Sequence, residues 1–160
     1  MEPTLKSQDV LFANKNISPE AGDIIVIDGM KESEDGKGYD LLIKRAIAIG
    51  QKDKTIIVEL IHGRIWVGES EQTMAPLPED YLGDNKITPV GSSGLERWEL
   101  KEGEVFFLGD NRGVSKDSRS EYGTCQAGQV VGVVPEWALS MRWLSGFMYD
   151  VGQIFANPTR

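Results

Sequence analysis

The stretch that most constrains this chain runs from Val105 to Gly123, VFFLGDNRGVSKDSRSEYG. It begins as the apolar end of a strand, Val105 to Leu108, and breaks at Gly109 into a run holding Asp110, Asn111, Arg112, Ser115, Asp117, Ser118 and Arg119. A solvated turn after a buried strand has no need of so many carboxylates, guanidiniums and hydroxyls together. Asp110 and Asn111 are short enough to bond neighbouring backbone N–H groups, and two Asp with two Arg can pair in forked geometry. The run reads as a side-chain hydrogen-bond scaffold that holds something in place.

The remainder of the chain limits what that is. At 160 residues it reads as one domain with a real core, and eighteen Gly and seven Pro among short β-branched runs favour strands and turns over helices. A net charge of −8 argues against nucleic acid, because no basic stripe is present to neutralise phosphates. One cysteine, Cys125, excludes an internal disulfide and a multi-Cys metal site, and one histidine, His62, excludes a His-rich one. Any catalysis must use a base other than histidine. No leader, membrane-spanning run or internal repeat is legible.

In chain order, Asp9–Phe12 reads as a short strand, and Ile24–Ile27 after Gly22-Asp23 as a buried one. Residues 31–40 form a polar connection without the alternating oxygens of a calcium loop. Leu41 to Gly50, LLIKRAIAIG, is the second informative stretch. Strand alternation places Leu42, Lys44, Ala46 and Ala48 on one face and Leu41, Ile43, Arg45, Ile47 and Ile49 on the other. Lys44 therefore sits among apolar neighbours, where lost hydration lowers its pKa from about 10.4 towards the range of a general base. A shift of about three units corresponds to roughly 4 kcal/mol, which a fold carries for a reason or offsets with a partner. The plainer alternative is an edge lysine with its ammonium in water. Lys54–Ile61 and Arg64–Gly68 read as a hairpin turned by His62-Gly63, with no role for His62. From Glu69 to Glu99 the chain is polar and aperiodic, with Glu79-Asp80-Tyr81-Leu82 its one patterned fragment. Val130–Val134 returns as a strand. Trp137 to Phe155 carries Trp137, Met141, Leu144 and Met148 at helical spacing, as a helix on the core or a segment lying on a membrane surface.

The run from Gly109 resembles the signature G-D-N-R-x-x-S-x-D-S-R of bacterial type I signal peptidases, membrane-bound Ser/Lys proteases, and every fixed position is met. Ile43-Lys44-Arg45 resembles that family's lysine box, Gly22–Ile27 another of its boxes, and Met1-Glu2-Pro3-Thr4-Leu5 the tail of S-M-x-P-T-L, entered one residue after the serine. These boxes cover about a third of the chain, in the family's order. One departure is Gly50-Gln51-Lys52-Asp53, where the family has Pro-Gly-Asp.

The resemblance implies a mainly β fold of the signal-peptidase and repressor-autoprotease type. In it, 1–68 with 101–136 form the catalytic core, 69–100 a variable inserted β subdomain, and 137–160 an amphipathic C-terminal segment with a short helix. It implies a serine endopeptidase cutting signal peptides from exported preproteins at small-x-small sites, a chemistry that needs no metal and no organic cofactor. Lys44 is then the base, Ser115 orients its amine, and a serine joined to Met1 is the nucleophile; the chain from Met1 onward is expected to fold but not to cleave. Asp117 is expected to pair with Arg119 and Arg45 with Asp110, while Arg112 and Asp110 brace the start of the loop. Met1, Pro3, Leu42, Ala46 and Ala48 are expected to contact substrate, the alanines by leaving shallow room beside the base. Implied partners are preprotein signal peptides and membrane lipid, through an anchor upstream of Met1 and through Trp137–Phe155, with the domain on the extracytoplasmic side. Two competitors share features of this reading. A self-cleaving repressor would need a DNA-binding segment and an internal scissile site, neither of which is legible. A signal-peptidase-like assembly factor without the serine would have no chemical need for Lys44 and the complete SKDSR set.

Overall fold

The computed structural model describes residues 1–6, 9, 11–32, 39–83 and 86–140. Among them the architecture is mainly β, built from two antiparallel sheets. The first contains β1 (Ile24–Glu32), β2 (Tyr39–Ile49), β7 (Glu104–Leu108), β8 (Cys125–Gln126) and β9 (Val130–Val134), in the order β8-β7-β2-β1-β9. The second contains β3 (Ile56–Ile61), β4 (Arg64–Gly68), β5 (Ala75–Pro76) and β6 (Arg97–Leu100), in the order β5-β4-β3-β6.

The continuous apolar run of β7 follows from burial on both faces. Val105 and Phe107 enter a cluster with Ile25, Ile27, Ala46, Cys125 and Val133, whereas Phe106 and Leu108 enter another with Ile47, Ala48, Val58, Leu60, Ile65 and Trp98. The second cluster joins the two sheets, with the Phe106 and Trp98 ring centroids 4.7 Å apart. Each such side chain removed from water contributes about 1.5–3 kcal/mol. Cys125 is 1% exposed, and burial pushes its thiol up to about 11, the behaviour of a small core residue. The β3–β4 hairpin turns through His62 (φ 49°) and Gly63 (φ 75°), a pair of left-handed residues whose twist matches the flanking strands.

Four expectations are corrected. Asp9, Leu11 and Phe12 are not in a strand; the pairing in that region is a bridge from Asn14 to Val133, and Leu11 packs on the cluster of Leu5, Ile24 and Val134 while Phe12 stays exposed, without a ladder of backbone bonds. The polar connection expected over 31–40 is shorter, because β1 extends to Glu32 and β2 begins at Tyr39. The border between core and insertion also moves: β3 and β4 pair with β5 and β6, so the second sheet draws on 56–100 and not on 69–100 alone. The fourth is the face carrying the alanines. Ala46 pairs with Phe107 and Ala48 with Phe106, so Ile47 is an extra residue, a β-bulge that flips the alternation. Ala46 and Ala48, 0% and 2% exposed, consequently lie in different core clusters and form no shared shelf beside Lys44.

Helix α1 (Glu136–Ser140) begins the C-terminal segment, and residues 141–160 of it lie outside the described part. Among the described residues no helix is long and apolar enough to cross a membrane. The bulge makes a direct prediction. Ala48→Leu overpacks the layer between the sheets and should destabilise the fold by about 1–3 kcal/mol in denaturant unfolding; a variant as stable as the parent would mean that this side chain faces open space.

Candidate active site

Lys44 lies on β2 opposite Ile25 of β1, and its Nζ donates to Ser115 Oγ at 3.2 Å. Burial is the largest influence on its ammonium and lowers its pKa, with Arg119 acting in the same direction; Asp117 and Asp110 oppose it. The α-amino group of Met1 is near enough to be lowered in turn, first by burial and then by the charge of Lys44. Three segments distant in sequence thus converge: the start of the chain, the middle of β2 and the loop after β7.

That loop is held by the interactions its composition promised. Asp117 takes a two-point ion pair from Arg119, Nε to Oδ1 and Nη2 to Oδ2, both at 2.8 Å, while Asp117 Oδ2 also accepts from the Gly109 N–H at 3.1 Å. Ser118 stitches the loop to β7 by accepting from the Phe107 N–H at 2.9 Å and donating its own N–H to Phe107 O at 3.1 Å. Arg119 also donates to Arg112 O and Pro89 O. Gly109 is required sterically: a Cβ there would lie 2.1 Å from Ser115 Oγ and 3.6 Å from Lys44 Nζ. The absent side chain leaves the room that Ser115 and Lys44 occupy.

Arg45, on the opposite side of β2 from Lys44, reaches Asp110 with Nε at 3.0 Å and Nη2 at 2.8 Å, and donates to Gly22 O at 2.8 Å. Asp110, 1% exposed, also accepts from the Thr4 hydroxyl, which ties the opening residues to the same carboxylate. Arg112 and Asp110 each hold the start of the loop through different partners. Arg112 turns into the core and donates to Glu79, to Thr88 Oγ1 at 2.6 Å, to Tyr81 Oη at 3.1 Å and to Gly109 O at 3.1 Å. Its guanidinium is thereby satisfied largely by the connection between β5 and β6. The patterned fragment Glu79–Leu82 and the threonine of the S-M-x-P-T-L tail, Thr4, were the available signals; for Thr88 there was none.

Beside Lys44 and Ser115 lies a groove of about 660 Å³, lined also by Met1, Leu5, Leu42, Ile43, Val114 and Tyr122. Met1 and Leu42, two of the residues expected to meet substrate, both line this groove. Pro3 is exposed and does not line the groove, and neither do the core alanines Ala46 and Ala48. Among the described residues no cluster of His, Cys, Asp and Glu could hold a metal ion.

A family model described as "Signal peptidase, peptidase S26" matches residues 1–138. The chain belongs to that family. It is 29% identical over 143 residues to the Signal peptidase I of Bacillus amyloliquefaciens, covering 82% of this chain and 65% of that protein, so it spans less than two thirds of that relative's length. Its fold is similar to the crystal structure of a signal peptidase I from Enterococcus faecalis V583, with a TM-score of 0.52 at 24% identity, covering 73% of this chain and 97% of that one. The mainly β architecture is thus that of the signal peptidase fold.

Two predictions follow from the site's geometry. Gly109→Ala should displace the Ser115 side chain and break its contact with Lys44, which amide and lysine-amine NMR shifts in the folded variant would register; unchanged shifts at Lys44 would contradict the close approach. The second concerns pH. An ordinary lysine titrates near 10.5, and the folded protein releases the Lys44 proton lower, so between the two values the unfolded chain binds more protons and stability rises with pH. Below that interval Lys44 must be buried charged, at a cost. Lys44→Met should therefore be more stable than the parent below that interval, with the advantage shrinking as pH rises through it; a less stable variant on the acid side would contradict the burial.

Proposed function

We propose that this chain is the extracytoplasmic peptidase domain of a signal peptidase that removes N-terminal signal peptides from exported preproteins at small-x-small sites, using a Ser/Lys dyad. The observation that carries this reading is the half-buried Lys44 amine, hydrogen-bonded to Ser115 at the groove that Met1 also lines. Burial favours the neutral amine, the form able to accept a proton, and the Ser115 hydroxyl fixes its direction.

The nucleophile in this reading is a serine joined to the Met1 nitrogen, which already lies within the electrostatic reach of Lys44. Its hydroxyl oxygen attacks the scissile carbonyl while neutral Lys44 takes the hydroxyl proton. The tetrahedral intermediate then collapses, the C–N bond breaks, and Lys44 gives that proton to the leaving amine. Water, activated by the same amine, attacks the acyl ester and releases the signal peptide as a carboxylate. The serine's own N–H and residues upstream would stabilise the oxyanion. Ser115 takes the part that the aspartate plays in a Ser-His-Asp triad, holding the base in one orientation. The ion pairs Arg45–Asp110 and Asp117–Arg119 support the loop without touching substrate. Leu42, Ile43 and Met1 would form apolar contacts with the substrate. The membrane would be reached through an anchor upstream of Met1 and through the C-terminal segment, whose Trp137 is 54% exposed beside Phe12.

The deciding experiment is cleavage of an Ala-x-Ala signal-peptide substrate by the chain extended upstream through the serine. Removing a general base costs about 10²- to 10⁴-fold, so Lys44→Ala should lower kcat at least that far, and the parent's kcat/KM should rise with pH as Lys44 loses its proton. No cleavage by the folded extended chain would replace this reading with that of a non-catalytic assembly factor that keeps the groove as a binding site.

A further inference from the structure

We propose that Tyr81 and Glu79 are positioning residues that hold Lys44 and Ser115 in register by clamping the two arginines on either side of them. The inference deepens the peptidase reading and rests on it for its catalytic consequence. Tyr81 touches both the strand that carries Lys44 and the loop that carries Ser115. The face of its ring lies 3.9 Å from the guanidinium carbon of Arg45, the residue next to Lys44 on β2. Its hydroxyl accepts from Arg112 at 3.1 Å and donates to Glu79 Oε1 at 3.1 Å. Glu79, 9% exposed, forms an ion pair with Arg112, which is 2% exposed, so neither charge is left uncompensated.

The path from this cluster to the base is short. Arg112 Nε donates to Gly109 O, and the Ser115 side chain fills the space over Gly109. On the other side Arg45 grips Asp110, the residue after Gly109. Tyr81 therefore touches both arginines that fix the backbone carrying the Ser115 contact. Its own phenol is pushed upward by burial and by the neighbouring Glu79, so it stays protonated and keeps donating to the carboxylate. The segment is fastened further by Thr88 on Arg112, by Pro89 O on Arg119, and at Gly91, where a Cβ would lie 2.1 Å from Arg119 O. A stretch that belongs to the second sheet's connections thus sets the geometry of a dyad on the first.

Loosening the clamp should let Ser115 drift and admit water to Lys44. The groups that face Lys44 are Ser115, Asp110, Asp117 and Arg119 from the loop and the Met1 amine from the start of the chain, with Arg45 beside it on β2. None of these is altered by Tyr81→Phe or Tyr81→Leu, so a change in Lys44 titration in those variants reports position and hydration.

The test titrates Lys44 in the 160-residue chain. Reductive methylation is carried out across a pH series and read residue by residue by mass spectrometry, in the parent, Tyr81→Phe, Tyr81→Leu and Glu79→Gln. The Lys44 midpoint should rise towards that of an ordinary lysine, most in Tyr81→Leu and less in Tyr81→Phe, while exposed Lys52 stays put. Folded variants with the parent's Lys44 midpoint would overturn the proposal. Should Tyr81→Leu not fold, Tyr81→Phe decides, since it keeps the ring on Arg45 and removes only the hydroxyl. In the extended chain the same variants should lower kcat roughly ten- to hundred-fold, with KM within about twofold and the acid limb of kcat/KM moved to higher pH. An unchanged kcat would also overturn it. If the extended parent does not cleave, the peptidase reading fails while the Lys44 titration still decides the clamp.

Discussion

The buried pair of Arg45 and Asp110 is the interaction on which the rest of the site depends. One guanidinium on β2 and one carboxylate at the start of the loop are joined by two hydrogen bonds, and three other segments of the chain are attached to one or the other. The Gly22 carbonyl and the face of Tyr81 meet Arg45, and the Thr4 hydroxyl meets Asp110. Both charges are out of water, at 8% and 1% exposure, so removing either partner would strand the other at a cost of about 3–5 kcal/mol. The pair's contribution is above all positional. It fixes the strand carrying Lys44 relative to the loop carrying Ser115, across a separation that backbone hydrogen bonds alone do not span beyond Leu108.

Lys44 and its surroundings set two physical demands against each other. A base needs low hydration to be neutral, and burial supplies it; yet a buried amine needs a partner, and Ser115 supplies only an uncharged one. Asp117 and Asp110 pull the pKa back up, but both carboxylates already chelate an arginine, which blunts their field at the amine. Pairing these acids with arginines therefore leaves Lys44 with acidic neighbours while burial still lowers its pKa. A free carboxylate at the same distance would hold the proton on the lysine and remove its use as a base.

The second sheet takes part in this arrangement. Its hairpin packs through Trp98 and Ile65 on the same layer as Phe106 and Leu108, while the connection between β5 and β6 sends Glu79, Tyr81 and Thr88 against the arginines of the loop. Sheet packing supplies the attachment, and the polar side chains supply the direction.

Local sequence determined the parts whose partners lie close by or whose chemistry leaves few choices. The His62-Gly63 turn, the apolar β7 run, and the pairing of Asp117 with Arg119 two residues away all follow from backbone conformation and short-range geometry. The family boxes added Lys44 with Ser115 and Arg45 with Asp110, which are 71 and 65 residues apart in the chain. Tertiary structure decided what periodicity cannot carry. A bulge at Ile47 sent Ala48 to the other face, because alternation read from sequence assumes an unbroken ladder. Arg112 took Glu79, Tyr81 and Thr88 as partners while Asp110 took Arg45 and Thr4, and which of these groups come within reach is a property of the assembled site. Glu79, Tyr81 and Thr88 lie in a stretch without hydrophobic period, so their places became fixed only when the two sheets closed on a common core.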